Sequence, residues 1–308
     1  MTLADLAAAG ALTGGAAGGV CFRTGPFITR LETRFAPMLS LLVRFYGETE
    51  AFTTPQIVNF NIALHRPLGP RRWWRAQMRF RIEDTEPFEP YPLSHSYPLF
   101  EWGLNWSIAT RSNHYLMLHA GVVERAGRAL ILPAVPGSGK STLSTALAFR
   151  GWRLLSDEFG LIERPSGRVM PLPRAIPLKN RSIDVIRAYL PEAELGPRFD
   201  KTRKGTVCHV RPPDDCIRRQ QETAEPAWIV FPRYVEGHPT DLIPIPKSLA
   251  FVRLAHNSFN YRVLGATGFE QLRALIGRCD CYSLTYSEFD SVLPALAAMA
   301  DGGRQQGP

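Results

Sequence analysis

Two regimes of apolar patterning divide this chain. Between about residues 20 and 95 the apolar positions form short runs, among them 41–46 and 57–64, separated by stretches rich in Pro, Gly and Arg such as 66–72. Runs of that length bounded by turn residues predict a β-rich amino-terminal layer. Pro87, Pro90, Pro92 and Pro98 then crowd a connector that a helix interior would not tolerate. Residues 102–109 open the next segment, so a boundary is expected near residue 95, giving regions 1–95 and 96–308. From Tyr115 the pattern predicts a strand over 116–123, a turn at Arg125, Ala126, Gly127 and Arg128, and a strand over 129–132. A Gly/Ser loop, a helix to Arg150 and strands over 153–156 and 161–163 follow, which together make a β-α-β unit preceded by a hairpin. Further on come an Arg-bearing helix near 183–189, a charged loop through Lys204, a strand over 228–231 and a helix near 248–256. The chain closes on a strand over 282–286 and a helix over 288–299. No internal repeat is visible, and biased composition is confined to an Ala/Gly start and a Gly/Gln tail.

At 308 residues the chain can bury a substantial core in one large domain or two of ordinary size. Residues 3–20 are rich in Ala and Gly, but they lack a basic start, contain Asp5 and are broken by glycines at 10, 14, 15, 18 and 19, so neither a leader peptide nor a membrane span is expected. The formal charge of +8 raises the question of nucleic acid, yet the arginines are scattered and no basic run is interleaved with stacking aromatics. Neither nucleic acid nor a membrane is therefore expected as a partner. Lysine is scarce, occurring only at 140, 179, 201, 204 and 247, and each one stands out against the arginines.

The most informative stretch is Leu130, Ile131, Leu132, Pro133, Ala134, Val135, Pro136, Gly137, Ser138, Gly139, Lys140, Ser141 and Thr142. An apolar strand, a Gly-rich turn and Gly-Lys-Ser-Thr opening a helix make a phosphate-binding loop, whose backbone N–H groups curl toward phosphate oxygens. Lys140 would supply a point charge to the β- and γ-phosphates, Ser141 a hydroxyl to Mg²⁺, and the helix its positive end. Residues 136–142, from Pro136 through Gly137, Ser138, Gly139, Lys140, Ser141 and Thr142, are the expected nucleotide contacts. Against the pattern G-x-x-x-x-G-K-[ST] the first glycine is Ala134. A loop that needs triphosphate, with five cysteines in an odd count that makes no disulfide framework, points to the cytoplasm.

Phosphoryl transfer also needs a carboxylate for the metal and a group to orient or deprotonate the acceptor. Asp157 and Glu158 end the strand over 153–156, one helix after Lys140, and so arrive at the sheet edge that carries the phosphates. Neighbouring residues on an extended segment point to opposite sides, which lets one acid face the metal and the other the acceptor. His119 lies mid-strand just ahead of the loop and reads equally as a core histidine or as a partner of the site. Lys201, Arg203 and Lys204 could close over a transferred phosphate or lie on a charged surface loop. Cys208, His209 and Cys216, with Cys279, Asp280 and Cys281, have no zinc-site spacing, and Trp73, Trp74, Phe100, Trp102 and Trp106 read as core or domain-contact residues rather than a ligand cage.

His119, Ala120, Gly121, Val122 and Val123, the loop 135–142, and the run Arg150, Gly151, Trp152, Arg153, Leu154, Leu155, Ser156, Asp157, Glu158 resemble the core of bacterial HPr kinase/phosphorylase. With residues 100–106 and Ser258, Phe259, Asn260 and Tyr261, the chain more closely resembles the HPr kinase-related proteins of proteobacteria. The resemblance implies an α/β, phosphoenolpyruvate carboxykinase-like P-loop fold, a mixed sheet with helices to one side, preceded by the β-rich region. It implies Lys140 and Ser141 for phosphate and Mg²⁺, Asp157 as acceptor of the hydroxyl proton, Glu158 as the metal-side carboxylate and His119 as a nearby polar partner. Three departures stand out: Ala134, Glu158 in place of a second Asp, and the absence of the glycine- and arginine-rich signature associated with phosphorolysis. The expected activity is ATP- and Mg²⁺-dependent phosphorylation of a hydroxyl, Ser above all, on a protein or peptide acceptor. Two other readings fit the same residues: an ATP-gated peptide-binding module without phosphotransfer, and a kinase of small metabolites. A homo-oligomer is compatible with all three.

Overall fold

The computed structural model describes residues 1–12, 19–53, 57–67, 69, 74–133, 135, 137–164 and 166–302. Trp73, Ala134 and Pro136 lie outside the described residues.

The described residues up to 111 build an antiparallel-rich sheet packed with helices, and the helix that covers it, Ser96–Arg111, begins just past the expected boundary at 95. α1 (Leu3–Ala8) starts at a capping box in which Thr2 and Asp5 satisfy each other's backbone N–H groups. β1 (Val20–Thr24) and β2 (Phe27–Thr33) pair as a hairpin, and α2 (Ala36–Tyr46) follows them. Here the structure corrects the expectation of a strand at 41–46. Met38, Leu39, Leu42, Phe45 and Tyr46 recur every three or four positions and are buried on one helical face, and Pro37 sits in the first turn where its missing N–H costs nothing. β3 (Ala51–Phe52), β4 (Phe60–His65), β5 (Gln77–Ile82) and β6 (Tyr91–Pro92) complete a six-stranded sheet ordered β3-β1-β2-β4-β5-β6. α3 (Ser96–Arg111) covers it. Pro98, expected in a connector, lies instead in the first turn of this helix, where a missing donor is tolerated. Gly103 lets α3 close on the sheet, because a Cβ there would stand 2.0 Å from the Phe80 ring.

The second region is built on a mixed sheet. β7 (Tyr115–Arg125) and β8 (Arg128–Pro133) form a hairpin whose turn residues Ala126 and Gly127 have φ of 51° and 81°, as a two-residue turn matched to strand twist requires. α4 (Lys140–Ala148), β9 (Arg153–Ser156), β10 (Phe159–Glu163), β11 (Val169–Met170), β12 (Ile176–Lys179) and α5 (Arg181–Tyr189) follow. The expected charged loop through Lys204 is a hairpin of β13 (Phe199–Thr202) and β14 (Gly205–Val210), and β12, β14 and β13 make a small separate sheet. Next come α6 (Asp214–Arg218), β15 (Glu225–Tyr234), β16 (Asp241–Pro244) and α7 (Lys247–His256). α8 (Tyr261–Arg278), β17 (Asp280–Tyr286) and α9 (Phe289–Gly302) end the described chain. The main sheet runs β11-β10-β7-β8-β15-β17-β16, with β9 also beside β7. β8, β15 and β17 are mutually parallel, and β7, β10 and β16 run against their neighbours.

Helices cover both faces of this sheet, not one. Leu130, Leu132, Trp228 and Val230 pack with Leu143 and Leu147 of α4, Ile183 of α5 and Leu296 of α9. Ala129, Ile131 and Ile229 pack with Ala250 and Leu254 of α7 and Leu272 of α8 on the opposite face. Residues 129–132 are all buried, the continuous apolar strand expected between two covered faces. α8 itself was not legible as a helix, since Gly265 breaks its first turns with φ 57° and ψ −131° while Val263 and Phe269 stay exposed, blurring the apolar period. The two regions share one apolar cluster, in which Phe22, Phe45, Tyr97 and Phe100 pack with Met117, Phe159, Leu172 and Phe199, so packing runs unbroken across residue 95. Among the described residues no helix is long and apolar enough to cross a membrane.

Candidate functional site

In the loop between β8 and α4, Gly137 and Gly139 take the backbone conformations expected of glycine. Gly137 and Gly139 have φ of 88° and 86°, and a Cβ on Gly139 would stand 2.6 Å from Tyr286 Oη, so both conformation and space require glycine there. Tyr286 and Tyr234 hold the loop from the neighbouring strand ends: the Tyr286 hydroxyl donates to Gly139 O (3.3 Å) and the Tyr234 N–H to Ser138 O (3.1 Å). α4 begins at Lys140 with no side chain capping it, which leaves its first N–H groups to a ligand. The hydroxyl of Ser138 is buried without a partner. An orphaned hydroxyl beside uncapped helix N–H groups fits an incoming phosphate.

The two acids sit where the chain passes from β9 to β10. Both strands pair with the same edge of β7, β10 with residues 115–119 and β9 with 122–124, and a bulge at Leu155 shifts the register as Leu154 pairs with Val123 and Ser156 with Val122. Asp157 and Glu158 therefore fall in the gap between two ladders and turn to opposite sides. Asp157, buried, meets α4: Ser141 Oγ donates to Oδ2 (2.7 Å), Ser144 Oγ to Oδ1 (2.6 Å), and Lys140 Nζ lies 3.5 Å from Oδ2 while also donating to the Asp157 carbonyl oxygen. Glu158 meets His119, whose Nε2 stands 3.2 Å from Oε2. Burial pushes the Glu158 carboxyl up, but the His119 contact and the charges of Lys140, His119 and Lys179 outweigh it and hold the group well below the usual carboxylate range. Gly121 makes the approach of α4 to β7 feasible, since a Cβ there would lie 3.2 Å from Ser144 Oγ and 3.3 Å from Lys140 Cγ. Thr142 occupies the same first turn of α4.

His119 is fixed by the segment between α7 and α8. Its N–H donates to Asn257 O (2.7 Å), the Met117 N–H donates to Asn260 Oδ1 (3.0 Å), and the Phe259 ring packs on both His119 and Phe159, with centroids 5.5 and 4.6 Å away. Asn257, Phe259 and Asn260 thus strap the strand that carries the histidine, and the Ser258 hydroxyl adds a bond to Met117 O (2.9 Å).

A recess of about 20 Å³ opens beside the acids. Asp157 and Glu158 form one wall, Lys179 from β12 and Lys204 from the β13–β14 turn stand across it, and Glu101, Trp102 and Asn105 of α3 and Arg174 close it. Arg174 is buried and fully engaged on one side: Nη2 donates to Glu101 Oε2 (2.7 Å) and Nη1 to Asn105 Oδ1 (2.7 Å), while the hydroxyls of Tyr46 and Tyr97 donate to Glu101 Oε1. Arg174 Nε and His209 Nδ1 are buried without partners. Of the expected cationic trio only Lys204 lines the recess, its Nζ 5.8 Å from the Trp102 ring centroid; Arg203 lies over Tyr91 and Lys201 is exposed on the hairpin. Ser144, Arg174 and Tyr286 were not singled out from sequence, and Lys179 stood out only through the scarcity of lysine, with no role attached. All five cysteines are buried and free. Among the described residues no group of three or more His, Cys, Asp or Glu could hold a metal on its own. The oxygens of Ser141 and Asp157, adjacent and hard, are the donors that suit Mg²⁺ shared with phosphate. Comparison of the chain with protein-family models and with curated proteins returns no match.

Proposed function

We propose that this protein is an ATP-dependent kinase that phosphorylates a hydroxyl, Ser above all, on a protein or peptide acceptor with Mg²⁺, on a phosphoenolpyruvate carboxykinase-like P-loop fold. The observation that carries the reading is the Asp157–Glu158 pair split between two partners, Asp157 on Lys140, Ser141 and Ser144, Glu158 on His119 beside the recess. A phosphate loop alone grips a nucleotide. A second carboxylate turned away from it, facing a recess, adds a place for an acceptor. MgATP supplies the transferable phosphoryl group and the divalent charge. The loop N–H groups, Ser138 and Lys140 would hold its phosphates, and Ser141 with one acid would hold the metal.

The lining of the recess, with the carboxylates of Asp157 and Glu158 and the ammonium groups of Lys179 and Lys204, suits a small polar acceptor group such as a hydroxyl beside a phosphate. Incubation with γ-labelled ATP, Mg²⁺ and host lysate should label a protein or peptide on Ser, and Asp157→Asn should abolish the label while ATP still binds. Normal labelling by Asp157→Asn would remove Asp157 from the mechanism, and ATP left intact for hours with every candidate acceptor would favour the binding module.

The contacts support one refinement of the roles. The resemblance makes Asp157 the base and Glu158 the metal ligand, but of the two acids at the recess it is Asp157 that the Ser141 hydroxyl already meets, while Glu158 is paired with His119 away from the loop. We therefore assign Asp157 to the metal and Glu158 to the acceptor proton. On that assignment Asp157→Asn, still binding ATP, loses the gain in ATP affinity that Mg²⁺ gives the wild type, and Glu158→Gln lowers kcat at unchanged Mg²⁺ dependence; a Glu158→Gln that loses the Mg²⁺ gain while Asp157→Asn keeps it restores the first allocation.

A further inference from the structure

The chain uses 31 arginines and 5 lysines, and three of those five, Lys140, Lys179 and Lys204, gather around one pair of acids. Lysine offers what arginine does not, a compact ammonium on a flexible stem that can follow a moving phosphate. Lys140 has its role in the loop, and Lys204 is the one member of the cationic trio that reaches the recess. Lys179 has no assigned role. It reaches the acids from the end of β12, across the recess from Asp157 and Glu158, while Lys140 reaches them from α4. Its ammonium is shifted down by partial burial, against the pull of Glu158, with Lys204 and Lys140 adding to the lowering and Asp157 opposing it.

The backbone around it is tightly constrained. The Lys179 N–H donates to Ser182 Oγ (2.8 Å), so β12 ends in a fixed position. Asn180, next in the chain, holds φ 51° and ψ −126°, a conformation that a residue with a Cβ adopts at a cost of about 1–3 kcal/mol. Two contacts hold it there: its N–H donates to Thr206 O (2.9 Å), and the Thr206 N–H donates to Asn180 Oδ1 (3.1 Å). Gly205 leaves room for that side chain, since a Cβ would stand 2.4 Å from Asn180 Oδ1. Strain of this kind persists where the surrounding structure enforces it, and its effect here is to aim the residue before it.

We propose that Lys179 is a catalytic residue of this site, contacting the transferred phosphoryl group from the β12 side of the acids, as Lys140 does from α4, and neutralising charge on its equatorial oxygens. The inference rests on the kinase reading. In the step it serves, the acceptor oxygen bonds to the γ-phosphorus and the bond from that phosphorus to the β–γ bridging oxygen breaks with its electron pair leaving on ADP. The hydroxyl proton passes to a carboxylate of the Asp157–Glu158 pair, and Lys179 stays protonated throughout. A cation placed for the group in flight stabilises the transition state more than bound ATP, which separates it from a residue that merely holds nucleotide.

The test compares two probes on the purified full chain: Mg·AMPPNP, which mimics bound ATP, and Mg·ADP with aluminium fluoride, which mimics the planar group in transfer. Lys179→Ala should leave the Kd for Mg·AMPPNP within about twofold and weaken the aluminium fluoride complex on the order of 100-fold. Lys179→Arg should recover part of that loss, and Lys247→Ala, whose ammonium donates to Gly277 O on the far helix pair, should change neither. Lys179 exposes much of its surface although its ammonium lies among the charged groups of the recess, so Lys179→Ala should melt with the wild type. Equal weakening of both probes, or of neither, overturns the proposal. Failure of the wild type to bind Mg·AMPPNP overturns the kinase reading and this inference with it.

Discussion

Asp157→Asn separates the structural from the functional part of the site. Lys140 is 8% exposed and Asp157 5%, with 3.5 Å between the ammonium and the carboxylate, so without nucleotide each buried charge is compensated by the other. Removing one member of such a pair costs about 3–5 kcal/mol because the other is left buried and uncompensated. Asparagine keeps an oxygen near Lys140, and the backbone carbonyl of residue 157 remains, so the low end of about 3 kcal/mol applies. At about 2–4 °C per kcal/mol, the melting temperature of the nucleotide-free protein should fall by roughly 6–12 °C. ATP without Mg²⁺ should then give back much of that loss. In the wild type the triphosphate must draw Lys140 away from Asp157, whereas in the variant it restores the missing counter-charge. The assay is a melting curve with and without ATP in chelator, for both proteins. A larger ATP-induced shift in Asp157→Asn than in the wild type is expected. Equal shifts, or an unchanged melting temperature without ATP, would refute the view that Lys140 rests on Asp157 and is handed to the phosphates.

Gly121→Ala should place a methyl group 3.2 Å from Ser144 Oγ and 3.3 Å from Lys140 Cγ, displace the start of α4, and weaken ATP binding about tenfold by calorimetry, at a stability cost of about 1–3 kcal/mol. Glu101→Gln should destabilise the fold by about 3–5 kcal/mol in urea, because it strips the counter-charge from buried Arg174 at the seam between the two regions. His209 is buried and burial lowers it from 6.5 to about 4, so the folded state binds it neutral and the unfolded state takes up the proton first. Its contribution is therefore complete above about pH 6.5 and is lost as pH falls toward 4, to the extent of about 3 kcal/mol, and His209→Phe should flatten that limb of the urea-stability profile.

The hairpin, loop, α4 and β9 were legible because their signals are local: Gly127 in a two-residue turn, Gly137 and Gly139 in the loop, an apolar strand on either side. The position of Asp157 and Glu158 followed from the length of one helix and a short return. Elsewhere the period decided, and it misled where it was short or interrupted. Residues 41–46 alone read as a strand, and only with Met38 and Leu39 does the helical face of α2 emerge. α8 hides behind Gly265 and its exposed Val263 and Phe269. Ser144 and Lys179 carry no local mark. Ser144 matters because the bulge at Leu155 brings Asp157 over α4, and Lys179 because β12 ends across a recess that two distant segments enclose. Helices on both sides of the sheet were encoded in the fully apolar run 129–132, a signal that the resemblance overrode.

The most direct test of the kinase reading is transfer of the γ-phosphoryl group itself. With γ-labelled ATP, Mg²⁺ and lysate from the host, the wild-type protein should place the label on Ser of a protein or peptide, confirmed by phosphoamino-acid analysis, and Asp157→Asn should place none. ATP bound and intact for hours in the same mixture, or label found only on low-molecular-weight acceptors, would contradict it.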